Sequence, residues 1–213
     1  VTGKQRIIVF ASGPLDDDEG IKQRIRPESD VIYCADGGAN HSERLGFVPD
    51  LVIGDLDSIS DEIKAALRDN GRTELVEDPD QRRTDLELVL IRAIARKPEE
   101  IWVYGAFGGR LDHLLANITL LTTLKAPMPV YLAEADQYLF HSRKTVTLTG
   151  KPGDIVGVTP LEPIPSLRYE GLLWQANEPP YALGWQGASN RMTGTSATIY
   201  IEEGQALITH MSA

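Results

Sequence analysis

At 213 residues, with 42% hydrophobic and 24% charged residues, the chain can bury one large core or two small ones, which excludes a disordered or fibrous protein. Its net charge of -10 argues against non-specific nucleic-acid binding, which needs basic surface; a nucleotide whose phosphates reach carboxylates through a divalent cation stays open. No apolar run approaches the roughly 20 residues of a membrane span, so no membrane association is expected.

The start, Val1-Thr2-Gly3-Lys4-Gln5-Arg6, has neither a signal-peptide core nor an initiator Met, and a trimmed or engineered terminus is expected. Short apolar runs rich in Val, Ile or Tyr follow at residues 6–11, 31–35, 51–54, 73–76 and 101–104. Cys34 lies in the second of them and reads as a buried, inert thiol. A single cysteine suits a reducing compartment, so the expected location is cytoplasmic.

Helical patterns separate these runs. Ser60 caps a predicted helix over residues 61–69, with Gly71 just past its end. Thr84-Asp85-Leu86-Glu87 is a capping box, after which Leu86, Val89, Leu90, Ala93 and Ile94 recur at helical spacing. Leu111, Leu114, Leu115, Ile118 and Leu121 form a further apolar stripe.

After Ala126-Pro127-Met128-Pro129 the grammar changes. Strand candidates stand at residues 130–133, 138–140, 145–148, 155–159, 166–169, 198–201 and 205–208, separated by turn signals and without a convincing helix. The expected fold class is therefore α/β. An N-terminal, mainly parallel sheet with flanking helices (Rossmann-like) covers residues 1–126, and a C-terminal antiparallel β-sandwich covers residues 127–213.

In an open parallel sheet, ligands bind beyond the carboxyl ends of the strands. Four successive strand exits here carry aspartates: Asp36, the pair Asp55 and Asp57, Asp85, and Asp112. One such residue is ordinarily a helix cap. The pair is less easily dismissed, because alternate residues of an extended chain share a side and two carboxylates there repel unless a cation intervenes. Gly37-Gly38 and Gly108-Gly109 precede helices, where bare N–H groups can hold phosphate, though tight turns also use them. Neither is a dinucleotide fingerprint or a Walker A loop. Arg110 is placed to pair with a phosphate.

The segments Ala35-Asp36-Gly37-Gly38-Ala39-Asn40, Gly54-Asp55-Leu56-Asp57-Ser58-Ile59, Asp80-Gln81-Arg82-Arg83-Thr84-Asp85 and Gly105-Ala106-Phe107-Gly108-Gly109-Arg110-Leu111-Asp112-His113 resemble, in order and spacing, the motifs of thiamine pyrophosphokinases. Gly171-Leu172-Leu173-Trp174 and Ser189-Asn190 resemble that family's C-terminal signatures, so the likeness spans nearly the whole chain.

The resemblance implies ATP and thiamine as substrates, AMP and thiamine diphosphate as products, and a homodimer with active sites between subunits. It implies Mg²⁺ on Asp55, Asp57 and Asp85, with Asp36 and Asp112 close by as catalytic acids. Thr84, Gly108, Gly109 and Arg110 would meet the ATP phosphates. Ser189 and Asn190 would face thiamine, with Trp185 or Trp174 stacked on it. Arg82-Arg83 and Trp185-Gln186-Gly187-Ala188 depart from the family pattern; the two arginines are expected to be solvated, and His113 to be structural. Two rivals stay open: a pyrophosphokinase acting on a hydroxymethyl-pterin, and a non-catalytic nucleotide or thiamine sensor on the same scaffold.

Overall fold

A computed structural model describes residues 5–78, 82–185 and 187–213. The chain divides into two units, Val1–Ala135 and Asp136–Ala213.

The first unit is built on six parallel strands in the order β6-β5-β1-β2-β3-β4: β1 (Ile7–Phe10), β2 (Val31–Ala35), β3 (Leu51–Gly54), β4 (Glu74–Glu77), β5 (Ile101–Tyr104) and β6 (Val130–Ala133). Every residue of β1 and β3 is buried, as expected of parallel strands covered on both faces. The strand order reverses at β1, flanked by β5 and β2, which is the topological switch point where such sheets take ligands.

Among the described residues, five helices accompany the sheet: α1 (Asp18–Arg24), α2 (Gly38–Leu45), α3 (Asp61–Asp69), α4 (Asp85–Ala95) and α5 (Leu111–Thr123). Their starts follow capping chemistry. Asp17, Ser60 and Thr84 each accept an N–H of the first turn, from Gly20, Ile63 and Glu87. Gly38 is demanded by packing, since a Cβ there would lie 2.0 Å from the Phe10 carbonyl oxygen. Helix α5 buries only Leu121 fully, and leaves Leu111 and Leu115 at 75% and 66% exposure.

The second unit contains two antiparallel sheets. One runs β11-β9-β13-β7, from β7 (Gln137–Ser142), β9 (Ile155–Pro160), β11 (Gly187–Arg191) and β13 (Ala206–Met211). The other runs β10-β12-β8, from β8 (Val146–Thr149), β10 (Leu167–Glu170) and β12 (Ser196–Ile201). Ala197, Ile199 and Ile201 of β12 are buried in strict alternation, and so are Leu167 and Tyr169 of β10.

Three elements depart from the sequence expectations. Residues 130–133, assigned to the second half, form β6 and pair in parallel with β5; the prolines at 127 and 129 punctuate an αβ connection within the first unit. Helix α1 and strand β11 were not expected. The former is one short, mostly charged segment around buried Ile21, and the latter, Gly-Ala-Ser-Asn-Arg, has no β-branched or aromatic residue. Among the described residues no helix is long and apolar enough to cross a membrane.

Candidate active site

The exits of β1 to β5 open on one cleft of about 770 Å³, entirely within the first unit. Asp36, buried to 3% exposure, ends β2 with a left-handed backbone (φ 41°), and its N–H donates to the Ile53 carbonyl. That bond ties its backbone to β3, and its Cβ lies 2.7 Å from where a Cβ on Gly54, at the β3 exit, would stand. There Asp55 and Asp57 converge, but not because the chain is extended. Leu56 between them is buried with φ 60°, so the chain turns about an apolar anchor and presents both carboxylates. The Asp57 N–H donates to Asp55 Oδ1 at 3.3 Å and Ser58 Oγ to Asp57 Oδ1 at 2.9 Å, while Asn40 Nδ2 holds the Ser58 carbonyl at 2.9 Å.

Ligand oxygens of Asp36, Asp55 and Asp57 all lie within 4.8 Å of one another. Asp36 Oδ1 is buried without a hydrogen-bond partner. Leaving such a group unmatched costs about 1–3 kcal/mol, more when it is charged. A divalent cation with oxygen ligands fits this donor set. Asp36 was expected outside the metal shell and Asp85 inside it, whereas the tight trio contains Asp36. Asp85 stands beside them at the start of α4. Its carboxyl is pushed up to about 6, first by burial and then by the negative charges of Asp36, Asp55 and Asp57. Gly54 allows this crowding: a Cβ there would come 2.7 Å from Asp36 Cβ and 3.0 Å from Asp85 Oδ1.

Thr84, Gly108, Gly109 and Arg110 also line the cleft. Gly108 and Gly109 are both left-handed (φ 71° and 64°), which explains the glycine pair by backbone geometry. Arg110 is turned to Asp112, with Nη2 2.6 Å from Oδ2; both side chains are largely exposed. The guanidinium's hydrogen bond holds the Asp112 carboxyl at about 2. Asp112 itself is not among the lining residues, whereas His113, Arg82 and Arg83, expected to be structural or merely solvated, are. Asp80 and Gln81 of the corresponding motif lie outside the described residues.

The thiamine-side candidates belong to the second unit. Asn190 is buried and its amide is occupied: Nδ2 donates to the Trp174 carbonyl at 2.7 Å, and Oδ1 accepts the Trp174 N–H at 3.1 Å. It clamps the backbone that presents the half-exposed Trp174 ring. Ser189 beside it is exposed and left-handed (φ 65°). Trp185 sits edge-on to Tyr181 at 5.3 Å; Gln186 lies outside the described residues. Cys34 is buried, and burial pushes its thiol well above the usual range.

Counting acids missed the exit of β1. Ser12, Gly13 and Pro14 line the cleft at the switch point, and Asp78 and Asn117 line it too. The available signal was the strand's position rather than its residues, since a Ser-Gly-Pro turn after a buried strand carries no charge to notice.

Residues 23–132, just over half of the chain, match the family model described as thiamin pyrophosphokinase, catalytic domain. The chain is 28% identical to thiamine pyrophosphokinase 2 of Oryza sativa subsp. japonica, over 84% of this chain and 75% of that protein. It is 31% identical to thiamine pyrophosphokinase 1 of the same plant, over 71% and 67% respectively. Its fold is similar to the crystal structure of thiamine pyrophosphokinase from Bacillus subtilis, with a TM-score of 0.86 at 23% identity, covering 98% of this chain and all of that one.

Proposed function

Because the chain belongs to the thiamin pyrophosphokinase family, we propose that its cleft works with ATP and Mg²⁺, on the carboxylates of Asp36, Asp55, Asp57 and Asp85. The reaction is transfer of a pyrophosphoryl group from ATP to the hydroxyl of thiamine, giving thiamine diphosphate and AMP. The observation that carries the metal assignment is the buried Asp36 oxygen without a partner beside two further carboxylates.

When bound, the cation neutralises phosphate charge and aligns the chain of phosphates. Asp55 and Asp57 would hold it from the β3 exit and Asp36 from the β2 exit, with Asp85 closing the group from α4. Arg110 exchanges Asp112 for the transferred phosphates, a swap between two exposed charge-assisted partners. Gly108 and Gly109 let the backbone approach those phosphates, and Thr84 offers its hydroxyl. The thiamine hydroxyl attacks the β-phosphorus and AMP leaves. The hydroxyl proton passes to a neighbouring aspartate, either Asp112, which Arg110 releases as it turns to the phosphates, or Asp36 on the cleft wall. Positioning outweighs base strength in so loose a transition state.

Thiamine contacts are ascribed to Trp174 or Trp185 and Ser189, with Asn190 positioning Trp174. An aromatic face suits the cationic thiazolium. A homodimer is supported by the family resemblance and by the exposed apolar residues Leu111 and Leu115 of α5. A cytoplasmic location accords with the single, buried cysteine.

The test is a product assay with ATP, Mg²⁺ and thiamine that resolves AMP from ADP. AMP in step with thiamine diphosphate is the expected outcome. AMP formed only with a hydroxymethyl-pterin would overturn the acceptor, ADP would overturn the group transferred, and no turnover would favour a sensor.

A further inference from the structure

The uncharged wall of the cleft, at residues 12–14, is held by a chain of side chains that the reaction itself does not use. His41 of α2 places Nε2 2.8 Å from the Gly13 carbonyl oxygen. Its other ring nitrogen, Nδ1, lies 3.1 Å from Nη2 of Arg44, and Arg44 is in turn ion-paired with Asp18 at the start of α1. The chemistry of the partners fixes the protons. A carbonyl only accepts, so Nε2 carries the hydrogen; a guanidinium only donates, so Nδ1 is bare. Only the neutral ring satisfies both contacts.

Gly13 is the point where this chain meets the site. Its N–H donates to the Gly105 carbonyl at 2.9 Å, and a Cβ on it would lie 2.5 Å from that same oxygen. Pro14 continues the contact, its Cγ 3.0 Å from where a Cβ on Gly108 would stand. The β1 exit is therefore pressed against the glycine turn after β5, and His41 grips it from the other side through the Gly13 carbonyl.

We propose that His41, oriented by Arg44 and Asp18, is a positioning residue for nucleotide binding, holding the β1 exit against the Gly105 to Gly109 turn so that both loops keep the shape that receives phosphate. This rests on reading the cleft as the nucleotide site. A proton added to the ring can go only to Nδ1, facing Arg44, so protonation breaks the Arg44 contact that orients the ring, while Nε2–H still donates to the Gly13 carbonyl. Burial, with Arg44 acting in the same direction, lowers the ring's pKa below its ordinary value; the Gly13 carbonyl and Asp18 oppose that shift. Arg44 and Asp18 are the charged groups acting on the ring, and the β1 exit contributes only the carbonyl. The relay is thus complete above about pH 6.5, and the ring loses its Arg44 anchor as pH falls through the lowered pKa.

The experiment is calorimetric titration with MgATP, without thiamine, at pH 7.5 and 5.5, on the wild type, His41→Leu and His41→Gln. Gln keeps an N–H donor near the Nε2 position and does not titrate. His41→Leu should bind MgATP about tenfold more weakly at pH 7.5, the loss of one hydrogen bond, with kcat at saturating ATP within about threefold of wild type. His41→Gln should recover most of that affinity. Its further loss at pH 5.5 should be smaller than the wild type's, the remainder being the cleft acids common to both proteins. Equal pH profiles for wild type and His41→Gln would overturn the proposal, and so would undiminished binding by folded His41→Leu. Should His41→Leu not fold, the comparison of wild type with His41→Gln decides alone. A wild type that binds no MgATP overturns the nucleotide reading of the cleft as well.

Discussion

Two buried aspartates, one in each unit, show how opposite roles arise from the same residue at the same depth. Asp154 in the second unit is saturated. It accepts the N–H groups of Lys151 at 2.8 Å and Ala213 at 3.0 Å, and meets His210 Nε2 at 3.0 Å, while His210 Nδ1 reaches the Tyr138 hydroxyl at 3.0 Å. Burial alone would push its carboxyl up, but the amides of Ala213 and Lys151, together with His210, bring it below the ordinary carboxylate range. Asp36 in the first unit has an oxygen with no partner and two more carboxylates beside it. One site is complete within the fold; the other leaves a buried carboxylate oxygen unmatched, in a trio that a cation would complete. Burial and residue type do not separate structure from function here; the partner count does.

The sharpest way to break this contrast is to remove one charge from the incomplete site. Asp57→Asn should lower kcat by at least about a hundredfold while leaving the metal-free protein folded, since the residue is solvent-facing and supports no buried network. A loss under about fivefold would remove Asp57 from the cation site. The matching change in the complete site should act on stability instead. Asp154→Ala should lower the unfolding free energy by about 3 kcal/mol, because it strands buried His210 and two amides. Urea unfolding checks this, and turnover per folded molecule should change little.

Titration sharpens the contrast further, because the two regions respond to pH with opposite sign. Asp85, pushed up to about 6, contributes stability that is present below the ordinary value near 3.8 and lost as pH rises through about 6. Asp154, held down, contributes stability that is present above the ordinary value and lost as pH falls through its lowered one. In metal-free protein, Mg²⁺ should therefore raise Tm by several degrees at pH 8 and by much less at pH 5, where a proton on Asp85 already relieves the repulsion. An Mg²⁺ effect equal at the two pH values would contradict the coupling of Asp85 to the site.

The parallel sheet was legible because its strands are short, apolar and separated by capped helices; Ser60 and Thr84 cap their helices as their positions in the sequence indicate. The acid-bearing strand exits were legible for the same reason, since strand ends point to one edge. What the sequence could not display was how the chain turns there. Leu56 looked like the middle of an extended tripeptide and is a buried left-handed hinge. Asn190 stood in a binding signature, yet its amide is spent on the backbone of Trp174, sixteen residues away in sequence. Arg110 and Asp112 read as two independent site groups and are partners of one another. The β1 exit carries no titratable residue, so only the strand order exposes its position at the switch point. In each case a tertiary contact, not a local preference, decides the role.

The most direct test of the central claim, that Asp36 with Asp55 and Asp57 holds a divalent cation, is Mn²⁺ binding to nucleotide-free protein. It is read by electron paramagnetic resonance on the wild type and Asp36→Asn at pH 8. The wild type should bind Mn²⁺ in competition with Mg²⁺, and Asp36→Asn should bind at least about tenfold more weakly at unchanged or higher Tm, because one mutually repelling charge is gone. Equal affinity in the two proteins would contradict the account and return Asp36 to the ordinary buried acids of the fold.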